Sequence, residues 1–526
     1  MYKNIRVKIG ITLFLVLLFS FFYFMRNPWS PNSRTRVALA LSMIEDGTVN
    51  INKYEQITVD KALYKGNYYA DKAPGYSFTA LPAIWAGYRI FRTVCSDWGW
   101  SESKTAFIKT ACSNNKLIYS ELPEVYKDPR VVTRYQIGKR LGTHALDFIQ
   151  LIGTYFASGL ISALTALMLY FFAIRIGAST GGAVFAALTY GLATPAWVWS
   201  TAFHGHVLAG SCLFIAFTCL YYLNNLRSPS RHKEIMIAFT VGALLSWAVV
   251  VEYPASIASV IIALYGLSKV GRWGKGKVIR SLTAAGAAAV IFILPLLIYN
   301  YTAFDSPFET GYGYVPDVGI FKGMDEGFHG LTYPHFEWFY GLLFGGERGL
   351  FWFSPILLLT PLALYRYWRT QGSRAEVITI CAVVVYYILW TSSYFYWHGG
   401  SATGPRHLVP IIPFLCLPLA LLWSSARKWL KYVLSAGFAL SFLIMLMAAS
   451  VRMIGPEMSY NAVFDVLIPR FLEGKIPQVI FLRVYIGLLE TPRPEMLLTL
   501  VPLFIVLLLG GLYIWKLLRQ ERLPAS

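Results

Sequence analysis

Apolar runs of about twenty residues recur along this chain, set apart by short polar segments, and that rhythm leaves little choice of fold. About 20 apolar residues in a helix match the hydrocarbon thickness of a bilayer. Inside lipid every backbone N–H and C=O must be satisfied within the segment, which a helix achieves. Candidate spans fall at about 9–25, 147–173, 179–198, 206–224, 235–251, 253–269, 281–300, 350–365, 376–393, 408–425, 431–451 and 496–515. Composition agrees, because only 14% of the 526 residues are charged, against about 25% in a soluble domain. The expected class is an all-α polytopic membrane protein of about twelve transmembrane helices.

Charge sets the orientation. The formal net charge of +19 would suggest nucleic acid in a soluble protein. No zinc-finger spacing or basic helix supports that, so nucleic acid is excluded as a partner. Much of the charge lies in short turns, where cytoplasmic placement and anionic headgroups explain it. Arg227, Arg231 and Lys233 form one such turn, and Lys269, Arg272, Lys275, Lys277 and Arg280 another. Three spans separate residue 146 from the first of these turns, so residue 146 is expected outside, where the first span has already delivered the chain. The apolar stretch 75–91 should therefore not cross. Pro82 interrupts it, and Tyr88 and Arg89 at its end suit a segment lying along the interface. The expected organisation is a cytoplasmic N-terminus and uncleaved first helix (1–26), a large outer loop with membrane-lying helices (27–146), helices two to seven (147–300), an outer loop (301–349), helices eight to eleven (350–451), an outer loop (452–495), and a last helix with a cytoplasmic tail (496–526). Of six cysteines, Cys212, Cys219, Cys381 and Cys416 lie in apolar stretches as small core residues. Cys95 and Cys112 share the first outer loop and pair only if that compartment is oxidising.

Polar chemistry concentrates outside. The stretch NKYEQITVDKALYKGNYYADKAPGYSF brings Asp60, Asp71 and Lys72 together before Ala73-Pro74. A lysine at the mouth of an apolar cavity is a compact cation for a lipid phosphate. Asp71 would accept a hydroxyl proton or fix that lysine. Glu252, between two apolar runs, is a carboxylate near hydrocarbon, which is costly and usually has a reason; it serves as a base or as a turn residue. His204 and His206 sit at an i, i+2 spacing that does not share a helix face, so a polar or acid–base role fits them better than a metal. Arg348 and Arg406 stand beside glycines, where a guanidinium can grip a phosphate with two prongs. Arg34, Tyr69, Tyr253, Asp305, Glu309 and His398 complete the candidates for a cavity. A base and a phosphate clamp must flank one anomeric carbon, so at least one of Asp60, Asp71 and Glu252 should lie within about 10 Å of Lys72.

The arrangement resembles the GT-C superfamily of membrane glycosyltransferases, in particular the family-39-like branch of protein O-mannosyltransferases and aminoarabinose transferases. In that branch a first span precedes a large outer loop bearing an element whose lysine meets the lipid phosphate. GNYYADKAPG is similar to it, with Gly66, Tyr69, Lys72 and Pro74 in comparable places. LMLYFFAIRIG, with Arg175, stands where the family's next span ends, and His204 and His206 stand where its following outer turn often supplies an acid. The likeness covers about residues 1–300; beyond that, GGSATGPRHLVPIIPF resembles a turn of family-39-like proteins. The sequence departs where the family places an acid after the first span: Asn32 and Ser33 hold that position, and Asn32 cannot act as a base. Either Asp60, Asp71 or Glu252 has taken over, or the reaction differs. The resemblance implies inverting transfer of a sugar from a polyprenyl-phosphate carrier to a glycan, lipid or protein acceptor, on the outer face of a bacterial cytoplasmic membrane. No cofactor is expected; a metal is not needed where cationic side chains neutralise the phosphate, and no strong metal cluster in the sequence argues for one. A ligase or polymerase using a polyprenyl-diphosphate donor is the rival enzyme, and a lipid or solute transporter the rival outside enzymology.

Overall fold

A computed structural model describes residues 2–26, 30–97, 143–225, 230–270, 273–315, 323–370, 373–400, 402–451, 461–480 and 493–522. Each of the twelve apolar segments is helical. Nine helices among the described residues are long and apolar enough to cross a membrane: Asn4–Phe22, Leu146–Arg175, Gly205–Asn225, Arg231–Val251, Lys275–Phe304, Arg374–Ser392, Arg406–Ser425, Lys428–Ser450 and Pro494–Glu521. Thr180–Leu192 and Ala255–Leu267 are shorter apolar helices. The protein is an all-α, multi-pass membrane protein.

Three segments differ from their sequence-based reading. The stretch 179–198 is two helices, Thr180–Leu192 and Pro195–Ser200, parted at Thr194, whose backbone is extended. The stretch 350–365 is broken into helix Leu350–Phe353, a 3-10 turn Pro355–Leu359 and helix Thr360–Trp368. Pro355 disfavours helical dihedrals in the residue before it, and Ser354 leaves the helix at φ −142°, ψ 72°. Conversely, Gly75–Asp97 is one helix that continues through Pro82. A proline inside a helix costs ~3 kcal/mol. Burial of Tyr76, Ala80 and Ile84, all at 0% exposure, offsets that cost. Cys112 lies outside the described residues, so the suggested pairing with Cys95 does too.

Two elements present the polar residues. Helix Pro31–Glu45 follows the first span, and its first turns bury Asn32, Ser33, Arg34, Thr35 and Arg36. A small hairpin, strands Ala62–Tyr64 and Asn67–Tyr69, comes next. Its two turn residues, Lys65 and Gly66, both have positive φ, as a two-residue hairpin turn of the right twist requires. The chain then turns through 70–74 into helix Gly75–Asp97.

At the far ends of the spans the charges pair off. Arg280 donates twice to Glu234 Oε2, at 3.1 and 2.6 Å. Tyr265 donates to Glu376 Oε1 at 2.8 Å, with Lys269 Nζ 3.7 Å away. Arg6 and Thr180 both donate to Glu521 Oε1, at 2.8 Å each.

Candidate functional site

The turn 70–74 is held from both sides before any side chain reaches the cavity. Tyr299 donates its hydroxyl to the Ala70 carbonyl at 3.1 Å, and Arg36 Nη1 donates to the Ala73 carbonyl at 3.1 Å. Gly311 lies flat against this turn: a Cβ there would stand 2.8 Å from Asp71 Cα, a distance no side chain tolerates. Asp60 is set by Thr58, whose Oγ1 accepts from the Asp60 N–H at 3.0 Å and donates to the Pro31 carbonyl at 2.9 Å. Such a local hydroxyl turn fixes the backbone without helix or sheet.

These restraints converge on one lysine. Lys72 Nζ lies 2.6 Å from Asp71 Oδ2 and 3.4 Å from Asp60 Oδ2, and 5.4 Å from the centre of the Tyr312 ring. Burial disfavours its charge, yet Asp60 and Asp71 together hold its pKa well above the ordinary lysine value. Asp71 is 1% exposed. Burial pushes its carboxyl up to about 6, against the pull of Lys72. Its second oxygen, Oδ1, is buried and has no hydrogen-bond partner among the described residues. A buried carboxylate oxygen left so is expensive, and it is an acceptor in waiting.

Glu252 closes the next part of the wall. Arg36 Nη2 donates to its Oε1 at 3.0 Å, and Arg36 Nε donates to Asn32 Oδ1 at 3.1 Å. His206 Nδ1 stands 3.7 Å from the same carboxylate oxygen. Burial raises the Glu252 pKa, with Arg36 opposing. Each Arg36 nitrogen is thus committed, and Glu252 has a full cationic partner where Asp60 and Asp71 share one.

Across the cavity the balance reverses. Arg406 touches His407 Nε2 at 3.5 Å and lies 5.7 Å from the Tyr396 ring centre. Among the described residues no carboxylate forms an ion pair with it. Tyr394 stands between the two groups: burial raises its pKa to about 12 while Lys72 and Arg406 pull the other way. His398 donates nothing through Nδ1, which accepts from the Gly400 N–H at 3.0 Å. Burial, with help from Arg348 and Arg406, lowers its pKa to about 4, so the ring is neutral. All these groups line one cavity of about 1360 Å³. Apolar and aromatic residues, including Val249, Ile257, Tyr386, Tyr387 and Trp390, form much of the remaining wall.

Of the sequence candidates, Asp60, Asp71, Lys72, His206, Glu252, Tyr253, Glu309, His398 and Arg406 line this cavity. The others lie elsewhere for identifiable reasons. Arg34 is buried in an ion pair with Asp147 at 2.7 Å. His204 packs on Trp199, ring centres 5.1 Å apart, with Ser33 Oγ 3.4 Å from Nδ1; burial first, then Arg406, drives its pKa well below the ordinary histidine value. Tyr69 packs on Phe304 at 5.5 Å. Asp305 pairs with Lys65 on the exposed surface. Arg348 sits behind the wall and donates to the backbone carbonyls of His398, Gly400 and Ala402. Among the lining residues that sequence reasoning missed are Arg36, Tyr312, Tyr394, Tyr396 and His407. The only sequence signal for Arg36 was a polar, basic first turn, RTR, leading into an otherwise apolar helix.

Among solved structures, ArnT from Cupriavidus metallidurans bound to undecaprenyl phosphate matches with a TM-score of 0.48 and 13% identity, over 99% of this chain and 77% of that one. The apo form of the same protein matches with a TM-score of 0.45 and 12% identity, over 98% and 76%. No family model matches the chain, and no curated protein matches it.

Proposed function

We propose that the protein transfers a sugar from a polyprenyl-phosphate carrier to an acceptor hydroxyl, in a cavity open to the outer face of the membrane. The observation that carries this reading is an imbalance within one cavity. Asp71 offers a buried carboxylate oxygen with no partner among the described residues. Arg406 offers a guanidinium that pairs with no carboxylate among the described residues. Transfer of a glycosyl group needs both, one to take the acceptor proton and one to receive the departing phosphate.

In this scheme the acceptor oxygen loses its proton to Asp71, or to Asp60 beside it, and attacks the anomeric carbon. The bond from that carbon to the phosphate oxygen breaks, and the phosphate keeps the electron pair. A single displacement inverts the anomeric centre. Arg406 bears on the phosphate and gains strength as charge develops there. Lys72 is bracketed by two carboxylates, so its work is to keep them ionised and oriented; the phosphate role falls to Arg406. Glu252 is satisfied by Arg36 and is a wall residue. Asn32 supports Arg36 and takes no proton.

The orientation rests on helix Arg231–Val251. Its first residues include Arg231 and Lys233, and it ends beside Glu252 in the cavity wall. Its 21 residues span roughly 30 Å, a bilayer core. A cytoplasmic basic run at its start supports an outward-facing cavity.

The test is release of polyprenyl phosphate from a labelled polyprenyl-phosphate sugar by purified protein. An intact donor after long incubation would refute the proposal. Release of a diphosphate from a diphosphate-linked donor would favour the ligase. Movement of substrate across vesicles without bond cleavage would favour transport.

A further inference from the structure

Arg348 is 2% exposed, yet among the described residues it makes no ion pair. Its guanidinium donates Nε to the His398 carbonyl at 3.2 Å, Nη2 to the Gly400 carbonyl at 2.8 Å and Nη1 to the Ala402 carbonyl at 2.9 Å. A planar fork with five N–H donors suits three carbonyls that face one point; an ammonium on a flexible stem does not hold them in one geometry. The backbone so gathered is unusual. Gly399 and Gly400 have φ +68° and +62°, values that favour glycine. Gly399 lies against the Arg406 side chain: a Cβ there would stand 2.7 Å from Arg406 Nε and 2.9 Å from its Cγ. Gly400 lies in the same way against the Tyr396 hydroxyl, and Tyr396 is the ring beside Arg406. The amides of Gly399, Gly400 and Ala402 are all hydrogen-bonded, to the Tyr396 carbonyl at 2.9 Å, His398 Nδ1 at 3.0 Å and the Gly400 carbonyl at 2.7 Å.

We propose that Arg348 is a positioning residue: it gathers the carbonyls of His398, Gly400 and Ala402 into a rigid backbone wall that aims the Arg406 guanidinium into the cavity. The proposal rests on the reading that Arg406 receives the donor phosphate. Arg348 itself does not touch the ligand. Its charge is secondary to its shape, because the carbonyls it binds are fixed by the spacing of its nitrogens.

Arg348→Lys separates shape from charge. In full-length protein in lipid nanodiscs, hydrogen exchange at the amides of Gly399, Gly400 and Ala402 should speed up, with the spans unchanged. Binding of a polyprenyl phosphate without sugar should weaken about 10- to 100-fold, as expected when a ligating group moves by about an ångström. Added to Arg406→Gln, Arg348→Lys should cost nothing further, because the two act as one unit. If Arg348→Lys fails to fold, Gly399→Ala carries the test, since it pushes on Arg406 directly and should weaken the same binding. Unchanged exchange at the three amides would overturn the proposal whatever the ligand. So would wild-type binding by the folded variant, or a loss that adds fully to that of Arg406→Gln. Failure of the wild type to bind polyprenyl phosphate would instead overturn the functional reading, while amide exchange would still decide whether Arg348 holds the wall.

Discussion

The two ends of the helical bundle handle buried charge differently. At the ends away from the cavity, three buried or half-buried carboxylates meet nearby donors, although Glu376 Oε2 is itself buried with no hydrogen-bond partner among the described residues. Glu234 takes two bonds from Arg280, Glu376 takes Tyr265 with Lys269 nearby, and Glu521 takes Arg6 and Thr180. At the cavity end Asp60 and Asp71 divide one lysine, while Arg406 forms no ion pair with a carboxylate among the described residues. Matched pairs near lipid satisfy a desolvation cost and do little else. Under the proposed function, the set around open space holds its charge for a substrate. What separates the two ends is the cavity of about 1360 Å³ between the charged groups at one of them.

Breaking the cavity end should be costly to turnover and cheap in stability. Asp71→Asn should lower kcat by about 10²- to 10⁴-fold, the range for a lost general base, with donor affinity nearly kept. Single-turnover transfer at saturating donor measures it; wild-type kcat would pass the role to Asp60. Arg406→Gln should lower kcat/KM by roughly 30- to 1,000-fold, the loss of a hydrogen-bonded charged partner. A full donor titration is needed, because a pure KM effect would mean that Arg406 grips the ground state and the transition state alike.

pH should sharpen the contrast. Asp71 must be ionised to accept a proton, and burial puts its pKa at about 6. Turnover should therefore fall about tenfold per pH unit below that point. Its share of stability runs the other way. A carboxyl whose folded pKa lies above its unfolded value of about 4 gives its full stabilisation below that value and loses it as pH rises through about 6. A rate profile with no inflection between pH 5 and 7, read as roughly that window, would remove Asp71 as the base. The smallest kinetic effect belongs to the far end. Glu234→Gln should cost about 1–3 kcal/mol of stability, the range for weakening a charged hydrogen-bonded pair, and leave turnover per folded molecule alone. A thermal melt alongside the transfer assay checks both, and a large kcat loss would undo the distinction between the ends.

Hydropathy made most of the helices readable, because a span has to be apolar over its whole length. It misjudged 350–365, where one proline after Ser354 breaks a run that composition alone would continue. It also took Pro82 as an interruption, although neighbouring side chains keep that helix whole. In the site, the group Asp60, Asp71 and Lys72 was visible because it is local, within a dozen residues of sequence. Arg36 was not, since its meaning comes from Glu252, 216 positions away. Arg348 looked like a phosphate ligand because glycines flank it. Its true neighbours are backbone carbonyls from a turn some fifty residues on, and no sequence pattern announces a carbonyl.

Gly311 has a consequence for how such a chain can diversify. With no side chain at 311, the outer segment 311–314 and the turn bearing Asp71 touch backbone to backbone, as two plates bolted face to face. Substitutions in the rim around Glu309 or Phe328 should therefore leave Asp71 in place, because the joint at 311 isolates it. A swap of the rim taken from another protein should transplant well if its boundary falls outside this joint. One that carries any residue larger than glycine to position 311 should arrive with Asp71 displaced.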